Sequence, residues 1–237
     1  MSSLQRKATV NRLLAALPAS EYERLMSGSE RVRLPRGKVL IEAGDRVRQS
    51  FFPLSGMISI LSATESGKVV EVAGVGSEGM VGLPAVLGTG VSPYQVIVQL
   101  PCEAVMIRAD RLRAEFTGGG GRLRELLLGH ALVLLTQITQ AAACHRFHTV
   151  EHRLAHWLLV TRDRAGSDSF QLTQEFLSQM LGVPRTSVTA LAGEMRRAGL
   201  IDYVRGRITV ADCRKLEAAA CECYRVGARE TTALIAA

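Results

Sequence analysis

The sequence predicts an α+β fold in three successive parts, and three observations support it. Short β-favouring runs separated by glycines fill the chain before about residue 117, a long apolar run follows residue 121, and short helical and strand-like segments alternate after residue 149. With 237 residues, the chain is long enough for two domains of ordinary size, and its 47% hydrophobic residues suffice for their cores. We therefore expect an N-terminal domain at 1–121, a helix and hinge at 122–148, and a C-terminal domain at 149–237.

The N-terminal part combines a pair of short helices with many short strands. Apolar residues between positions 13 and 27 predict two helices that are interrupted near Pro18. The β-favouring runs that follow have the spacing typical of an antiparallel sandwich or barrel. These runs are 31–34, 38–42, 56–61, 69–75, 94–100 and 103–108.

A long helix is predicted over 122–147, because its apolar residues recur at three- and four-residue steps. One set of them suits pairing with the same helix of a second copy, whereas Leu126 and Val133 suit packing against the β-rich part. We therefore predict a homodimer; the alternative is a buried helix of a monomer. The residues assigned to the interface are Leu127, Ala131, Leu134, Ile138 and Ala141.

After a further predicted helix at 149–164, the segment 172–201 predicts two short helices joined by a tight turn at Gly182. Thr173 is placed to cap the first helix, and Pro184 suits the opening of the second. The buried stripe of the first helix is Phe176, Leu177, Met180 and Leu181. That of the second is Val188, Leu191 and Met195.

The outward face of the second helix is short, polar and basic, as the reading of base edges requires. The guanidinium group of Arg185 could form two hydrogen bonds with a guanine. Thr186, Ser187 and Thr189 could contact a phosphate, a base edge or a thymine methyl group. The alternative is an ordinary helical hairpin with a solvated polar face.

Two strand-like runs at 201–204 and 208–210 follow, separated by Arg205-Gly206-Arg207. Arginines at such a tip suit contact with a phosphate backbone, so the segment predicts a winged helix-turn-helix. The formal charge of +7 fits a nucleic-acid partner, and the segment from Arg185 to Lys215 contains seven basic and three acidic residues. The predicted partner is double-stranded DNA. Its candidate contacts are Thr173, Arg185, Thr186, Ser187, Thr189, Arg205 and Arg207.

Three N-terminal motifs resemble the β-roll of the Crp/Fnr family of bacterial transcription regulators: LPRGKVLIEAGDRV at 34–47, FFPLSGMISIL at 51–61 and VGSEGMVGLPAVLG at 75–88. The resemblance implies a cyclic-nucleotide-binding-like β-roll, a dimerisation helix and a C-terminal winged helix-turn-helix. It also implies a homodimer on a two-fold symmetric promoter site, with RNA polymerase as a partner. Rotation about a hinge near 147–150 would carry the signal.

The signal itself is where this sequence departs from the family. Members that bind cyclic nucleotides use a glutamate and an Arg-Ser pair; here Glu78 and Ser92 are present, but no arginine lies between Arg48 and Arg108. Because a buried phosphate would be left unpaired, cyclic AMP is disfavoured. An iron-sulfur cluster is also disfavoured, since no cysteine precedes Cys102. The effector and its binding residues remain unknown.

The recognition helix departs from the family as well. Aligned on Val188, Arg185 keeps the family's first arginine, but Thr186 replaces the usual glutamate and Ala190 the second arginine. We therefore expect a half-site unlike the commonest one.

The five cysteines are odd in number and irregularly spaced, so we expect reduced thiols. Cys213, Cys221 and Cys223 match no standard zinc spacing, and we predict small core or surface residues, with a redox-sensitive thiol as the alternative. We predict no metal site, although a histidine stripe in a continuous helix could bind a metal or sense pH. The stripe is His145, His148, His152 and His156. His130 is expected at the dimer interface, with a haem ligand as the alternative.

The sequence also disfavours several other function classes. No standard nucleophile–base pair, metal-ligand motif or phosphate-cradling loop is present, so we predict that the chain is not an enzyme. No uninterrupted apolar run has the length of a membrane span and the N-terminus lacks a secretory signal, so a cytoplasmic protein without a membrane partner is expected. The alternative function is a cyclic-nucleotide- or redox-responsive receptor module acting through a protein partner.

Overall fold

The computed structural model describes residues 10–118 and 121–226. The chain separates into two compact units. Of the described residues, the first unit contains 10–60, 73–118 and 121–136, and the second contains 61–72 and 137–226.

The first unit begins with the predicted pair of helices, α1 (Arg12–Ala15) and α2 (Ala19–Met26). Asn11 caps α1, because its side-chain oxygen accepts hydrogen bonds from the backbone of Leu13 and Leu14. The Asn11 amide also donates to the carbonyls of Pro53 and Gly79, so this buried side chain ties the first helix to two distant segments.

Seven strands between residues 29 and 108 form two sheets. Strands β1 (Ser29–Leu34), β3 (Gln49–Pro53) and β7 (Cys102–Arg108) form one sheet in the order β1-β7-β3, with both pairings antiparallel. The other has the order β2-β6-β4-β5 and consists of β2 (Val39–Ile41), β4 (Met57–Ala63), β5 (Val69–Val75) and β6 (Gln95–Leu100).

The six predicted strand runs correspond to strands of these sheets, whereas β3 was not predicted from spacing. Four of its five residues are buried in succession, so it lacks the polar alternation that marks a half-exposed strand. A short 3-10 turn, Leu83–Ala85, lies in the connection to β6, and helix α3 (Ala109–Thr117) follows β7.

The long helix α4 spans Arg122–Phe147, as predicted. The assignment of its faces was wrong in part: Leu127 and Leu134, predicted to face a second copy, are buried, as are Leu126 and Val133. The exposed leucines are instead Leu128 at 46%, Leu132 at 64% and Leu135 at 61%. Because α4 is apolar on two adjacent faces, periodicity alone does not identify which one is covered within the chain.

By length and composition α4 could cross a membrane, with a mean hydropathy of 1.5 over its most apolar window. Polar residues interrupt this helix, so no unbroken apolar run is present. Of that window 28% is buried, and core helices of folded domains meet the same test, so one such helix is weak evidence of a membrane span.

The second unit contains α5 (Val150–Ala165), β8 (Ser169–Gln171), α6 (Gln174–Leu181), α7 (Arg185–Arg197), β9 (Ile201–Val204), β10 (Arg207–Val210) and α8 (Cys213–Ala219). The helix break before α5 is fixed by Thr149, whose hydroxyl accepts a hydrogen bond from the backbone of His152 at 3.3 Å. The three strands form an antiparallel sheet in the order β8-β10-β9.

Candidate nucleic-acid interface

Helices α6 and α7 form the predicted helical hairpin. The Thr173 hydroxyl accepts a hydrogen bond from the backbone of Phe176 at 3.2 Å, which caps α6 as expected. Gly182 ends the helix in the left-handed region, with φ 64°. Of the predicted stripe, Leu177, Met180 and Leu181 are buried, whereas Phe176 is half-buried.

Helix α7 begins at Arg185, directly after Pro184. Its buried residues are Val188, Ala192 and Met195, while Leu191 is half-buried. The prediction of Leu191 as an inward residue was therefore inexact: positions separated by four and three residues lie on one face, and here Ala192 takes that place.

The first turn of α7 presents the side chains that would reach a DNA groove. Arg185 and Thr186 are exposed, and Ser187 is half-buried. Thr189 is exposed, but its hydroxyl hydrogen has two acceptors inside the hairpin, Gln174 Oε1 at 2.8 Å and the Arg185 carbonyl at 3.0 Å. Thr189 therefore orients its neighbours besides presenting its methyl group.

Gln174 lies on this surface and was missed by the sequence reasoning. Its Oε1 accepts the hydrogen bond from Thr189, which leaves its amide group as a donor next to the start of α7. A polar residue directly after the Thr173 cap is the local signal that could have identified it.

The wing is a β-hairpin whose connecting loop has two residues. Val204 pairs with Arg207, and the two turn residues Arg205 and Gly206 have φ 49° and 78°, the signature of a type I′ turn. The Gly206 carbonyl accepts a hydrogen bond from the backbone of Leu172 at 2.7 Å. The wing tip is thereby fixed to the segment that opens the helical hairpin.

The basic residues of this surface differ in how far their charge is already compensated. Arg196 pairs with Asp202 at 3.2 Å, with both side chains exposed. Arg185, Arg205 and Arg207 are exposed, and among residues 10–118 and 121–226 no acidic side chain pairs with them. These three guanidinium groups therefore retain their full charge for a polyanion.

Two contacts support the turn of the hairpin from within the second unit. The buried Arg153 donates through Nη2 to the carbonyl of Leu181, the last residue of α6. A Cβ added at Gly182 would lie 3.2 Å from Cγ2 of Val70, a tight contact that Val70 could relieve only by shifting a few tenths of an ångström. The turn is held by packing as well as by backbone conformation.

The loop in which the family would bind a cyclic nucleotide lies in the first unit. Ser92 is buried and its hydroxyl donates to the Tyr94 carbonyl at 2.6 Å, while Glu78 accepts a hydrogen bond from the backbone of Gly76 at 2.9 Å. Both side chains are thus engaged within their own loops. No arginine adjoins Ser92 in the sequence, so the Arg-Ser pair of cyclic-nucleotide-binding members is missing here.

Arginines nevertheless approach this loop from other parts of the chain. Arg113 of α3 donates through Nε to the Ala85 carbonyl at 2.8 Å, and a cavity of about 570 Å³ has Arg46, Arg48, Arg108 and Arg113 in its lining. Arg108 is paired with Asp110, whose pKa is lowered to about 2 by that hydrogen bond. The loop therefore has arginine side chains around it, although none lies between positions 48 and 108 in the sequence.

The histidines are separated by the helix break. His130, expected at the dimer interface, is buried in the first unit, with Nε2 at 2.9 Å from the carbonyl and 3.1 Å from the backbone nitrogen of Met80. Burial lowers the pKa of His130, and it lowers the pKa of His145 to about 4. His152 is exposed, whereas His148 and His156 lie beside cysteines. The four residues of the predicted stripe therefore do not form one site.

Comparisons with known proteins agree with this architecture. Residues 31–117 match the model of the cyclic nucleotide-binding domain, and residues 152–219 match that of the Crp-like helix-turn-helix domain. No curated protein matches the sequence.

Solved structures show the same fold at low identity. A protein from Eubacterium rectale assigned to the Crp/Fnr family of transcriptional regulators is 14% identical, with a TM-score of 0.71 over 87% of this chain and 96% of its own. The c-di-GMP-responsive global regulator CLP of Xanthomonas campestris is 17% identical, with a TM-score of 0.66 over 82% of this chain and 100% of its own. FixK2 of Bradyrhizobium japonicum is 13% identical, with a TM-score of 0.67 over 81% and 98%.

The order of parts is thus a cyclic nucleotide-binding domain, a long helix and a helix-turn-helix domain with a wing. Since both family models and the fold agree, this chain belongs to the Crp/Fnr family of DNA-binding transcription regulators.

Proposed function

We propose that the protein acts as a homodimer that binds a two-fold symmetric promoter site, with one α7 helix in each of two successive major grooves. The single observation that carries this proposal is the first turn of α7, where the exposed and unpaired Arg185 stands beside Thr186. In this proposal residues 1–121 sense a signal, 122–148 form the dimerisation helix and hinge, and 149–237 bind DNA.

Each candidate residue has a defined task in the complex. Arg185 reads a base through its guanidinium fork, and Thr186 and Ser187 meet a base edge or a phosphate. Arg205 and Arg207 neutralise phosphates beside the groove, and the salt dependence of binding reports their number. Thr173 and Thr189 hold the hairpin in shape, since their hydroxyl groups are engaged within it.

The dimer interface is proposed to lie along the exposed stripe of α4. Leu128, Leu132 and Leu135 are separated by steps of four and three residues, so they lie on one helical face. A row of large exposed leucines is unfavourable in water, and pairing of two identical helices would remove it from solvent. We place the α4 helix of a second copy on this face, because a two-fold symmetric DNA site is bound by two equivalent recognition helices.

The activity of the dimer is proposed to depend on a signal at the β-roll other than cyclic AMP, because Glu78 and Ser92 are engaged within their own loops. RNA polymerase is the proposed protein partner at the promoter, and the cytoplasm the proposed location. Both follow from membership of a family of bacterial transcription regulators.

Selection of bound sequences from a random DNA pool tests this function. We expect one enriched motif made of two inverted half-sites about 10 base pairs apart between centres. An asymmetric motif would contradict the symmetric dimer. Selection without any enriched motif would contradict sequence-specific regulation and favour a receptor module that acts through a protein partner.

A further inference from the structure

Four side chains that could each supply one metal ligand meet in the second unit. They are Cys144 near the end of α4, His148 at the break before α5, and Cys221 and Cys223 in the segment after α8. Their ligand atoms all lie within 4.8 Å of one another. The three cysteines are 4%, 6% and 1% exposed, so the cluster is closed to solvent on its sulfur side.

The spacing of these atoms matches a tetrahedral zinc site. With Zn–S near 2.3 Å and Zn–N near 2.0–2.1 Å, the edges of a tetrahedron are about 3.8 Å between two sulfurs and about 3.6 Å between sulfur and nitrogen. The Sγ atoms of Cys144 and Cys221 are 3.6 Å apart, and Cys223 Sγ lies 3.5 Å from His148 Nδ1. Small side-chain rotations would bring the remaining pairs to these edges.

The groups around the cluster are those that orient metal ligands. His148 presents Nδ1 to the sulfurs, while its Nε2 lies 3.2 Å from a carboxylate oxygen of Glu222. A carboxylate on the far nitrogen of a ligating histidine fixes both its tautomer and its ring orientation. Gln140 donates through Nε2 to Cys223 Sγ at 3.1 Å, which stabilises negative charge on that sulfur.

The charges of the cluster are also compatible with a cation. Three thiolates, one neutral imidazole and Zn²⁺ together carry one negative charge. The buried guanidinium of Arg153, which interacts electrostatically with Cys144 and Cys221, opposes that charge.

We propose that Cys144, His148, Cys221 and Cys223 bind one Zn²⁺ ion as a closed Cys₃His site. On binding, each thiol that is still protonated loses its proton to solvent, and the metal forms three Zn–S bonds and one Zn–N bond. The ligands come from the end of α4, from the hinge and from the segment after α8. The ion therefore joins these three segments across the helix break.

This inference goes beyond the proposed function, and its test does not depend on DNA binding. The full-length protein, purified without chelator and dialysed, is analysed for metal content, then stripped and titrated with Co²⁺. We expect one Zn²⁺ per chain, and with Co²⁺ a sulfur-to-cobalt charge-transfer band together with the visible bands of tetrahedral cobalt. A protein that takes up neither ion overturns the proposal.

Matched variants identify the ligands. Cys221→Ser and His148→Ala should abolish tetrahedral Co²⁺ binding, whereas Cys213→Ser and His156→Ala should retain it. Cys213 lies on α8 outside the cluster, with its thiol hydrogen-bonded to Glu217, and His156 Nδ1 lies 3.8 Å from Cys221 Sγ without belonging to the four-atom group. Retention in His148→Ala together with loss in His156→Ala would overturn the assigned ligand set.

A disulfide between Cys144 and Cys221 is the competing outcome, and it requires no variant to detect. An intact mass that is lower by two hydrogens, with no bound metal, would overturn the zinc site. Protection of three thiols from alkylation that is lost on adding a chelator would support it, even if a variant failed to fold. Failure of this test leaves the DNA selection experiment unaffected, because that experiment measures sequence preference.

Discussion

The wing tip contains a conflict between stability and function that one substitution can measure. Arg205 has φ 49°, and it is the only residue other than glycine with positive φ among those described in 10–118 and 121–226. The left-handed region costs most side chains roughly 1–2 kcal/mol, whereas asparagine tolerates it and Asn-Gly is the preferred pair in a type I′ turn. Arg205→Asn should therefore raise the free energy of unfolding by about 0.5–1 kcal/mol.

The same substitution should weaken DNA binding. If each Arg205 guanidinium contacts one phosphate, its removal lowers the magnitude of the slope of log K against log salt by about 0.9 per contact. Stability and affinity would thus change in opposite directions. Urea denaturation measures the first quantity, and fluorescence anisotropy with the selected DNA site at several salt concentrations measures the second.

Arg207→Asn is the matched control, because Arg207 lies in β10, is also exposed and has no positive φ. It should reduce the salt slope without raising stability. If Arg205→Asn leaves the free energy of unfolding unchanged or lowers it, the reasoning about backbone strain is refuted. If it leaves the salt slope unchanged, the phosphate contact is refuted.

Four further outcomes are expected. Arg185→Ala should lower specific binding by about 1–3 kcal/mol and relax preference at one base pair, measured on substituted sites; equal loss on every sequence would contradict base reading. Leu132→Glu should yield a folded monomer in sedimentation with unchanged circular dichroism, while Leu132→Met stays dimeric, because only the charge opposes burial of the stripe. Gly166→Ala should lower the free energy of unfolding in urea by roughly 1–2 kcal/mol, because position 166 has a left-handed φ. Gly182→Ala should lower it by more, because position 182 has a left-handed φ and its new Cβ would also press on Val70. Equal losses in the two variants would argue against that contact. Cyclic AMP should leave the Kd for the selected site unchanged, and any tightening on its addition would show that the loop binds it.

The helix-turn-helix and the long helix could be predicted because their signals are local. Thr173, Gly182 and Pro184 fix the ends of two helices within a few residues of the sequence, and the structure uses each of them as expected. The apolar period likewise gave the bounds of α4 correctly. Its exposed face could not be predicted, since Leu127 and Leu128 are neighbours in sequence and only tertiary packing decides which is covered.

Features that depend on distant residues were missed for the same reason. Cys144 and Cys221 are 77 residues apart, so no spacing rule that covers a short motif connects them. Arg46 and Arg113 line one cavity, although one precedes and the other follows the arginine-free interval 49–107 in the sequence. In both cases the chemistry arises where the fold brings together segments that carry no recognisable motif separately.

The helix break at the hinge suggests how a signal could be transmitted. Helix α4 is continuous from Arg122 to Phe147 and α5 begins after the Thr149 cap, so we place the proposed rotation at positions 148–149. Beyond that break, Trp157 donates to Glu71 at 3.0 Å. A rotation at the proposed hinge that separated Trp157 from Glu71 would break this hydrogen bond.

The proposed zinc site lies on this same break. His148 lies at the proposed hinge, and Cys144 is one helical turn before it. With the ion bound, rotation at 148–149 would require breaking a metal–ligand bond or moving the 221–223 segment together with α4. With the ion removed, weaker contacts such as the Gln140–Cys223 and His148–Glu222 interactions would oppose that rotation. Occupancy of the site should therefore set the freedom of the DNA-binding part, and the apo protein should lose amide exchange protection first at 144–149.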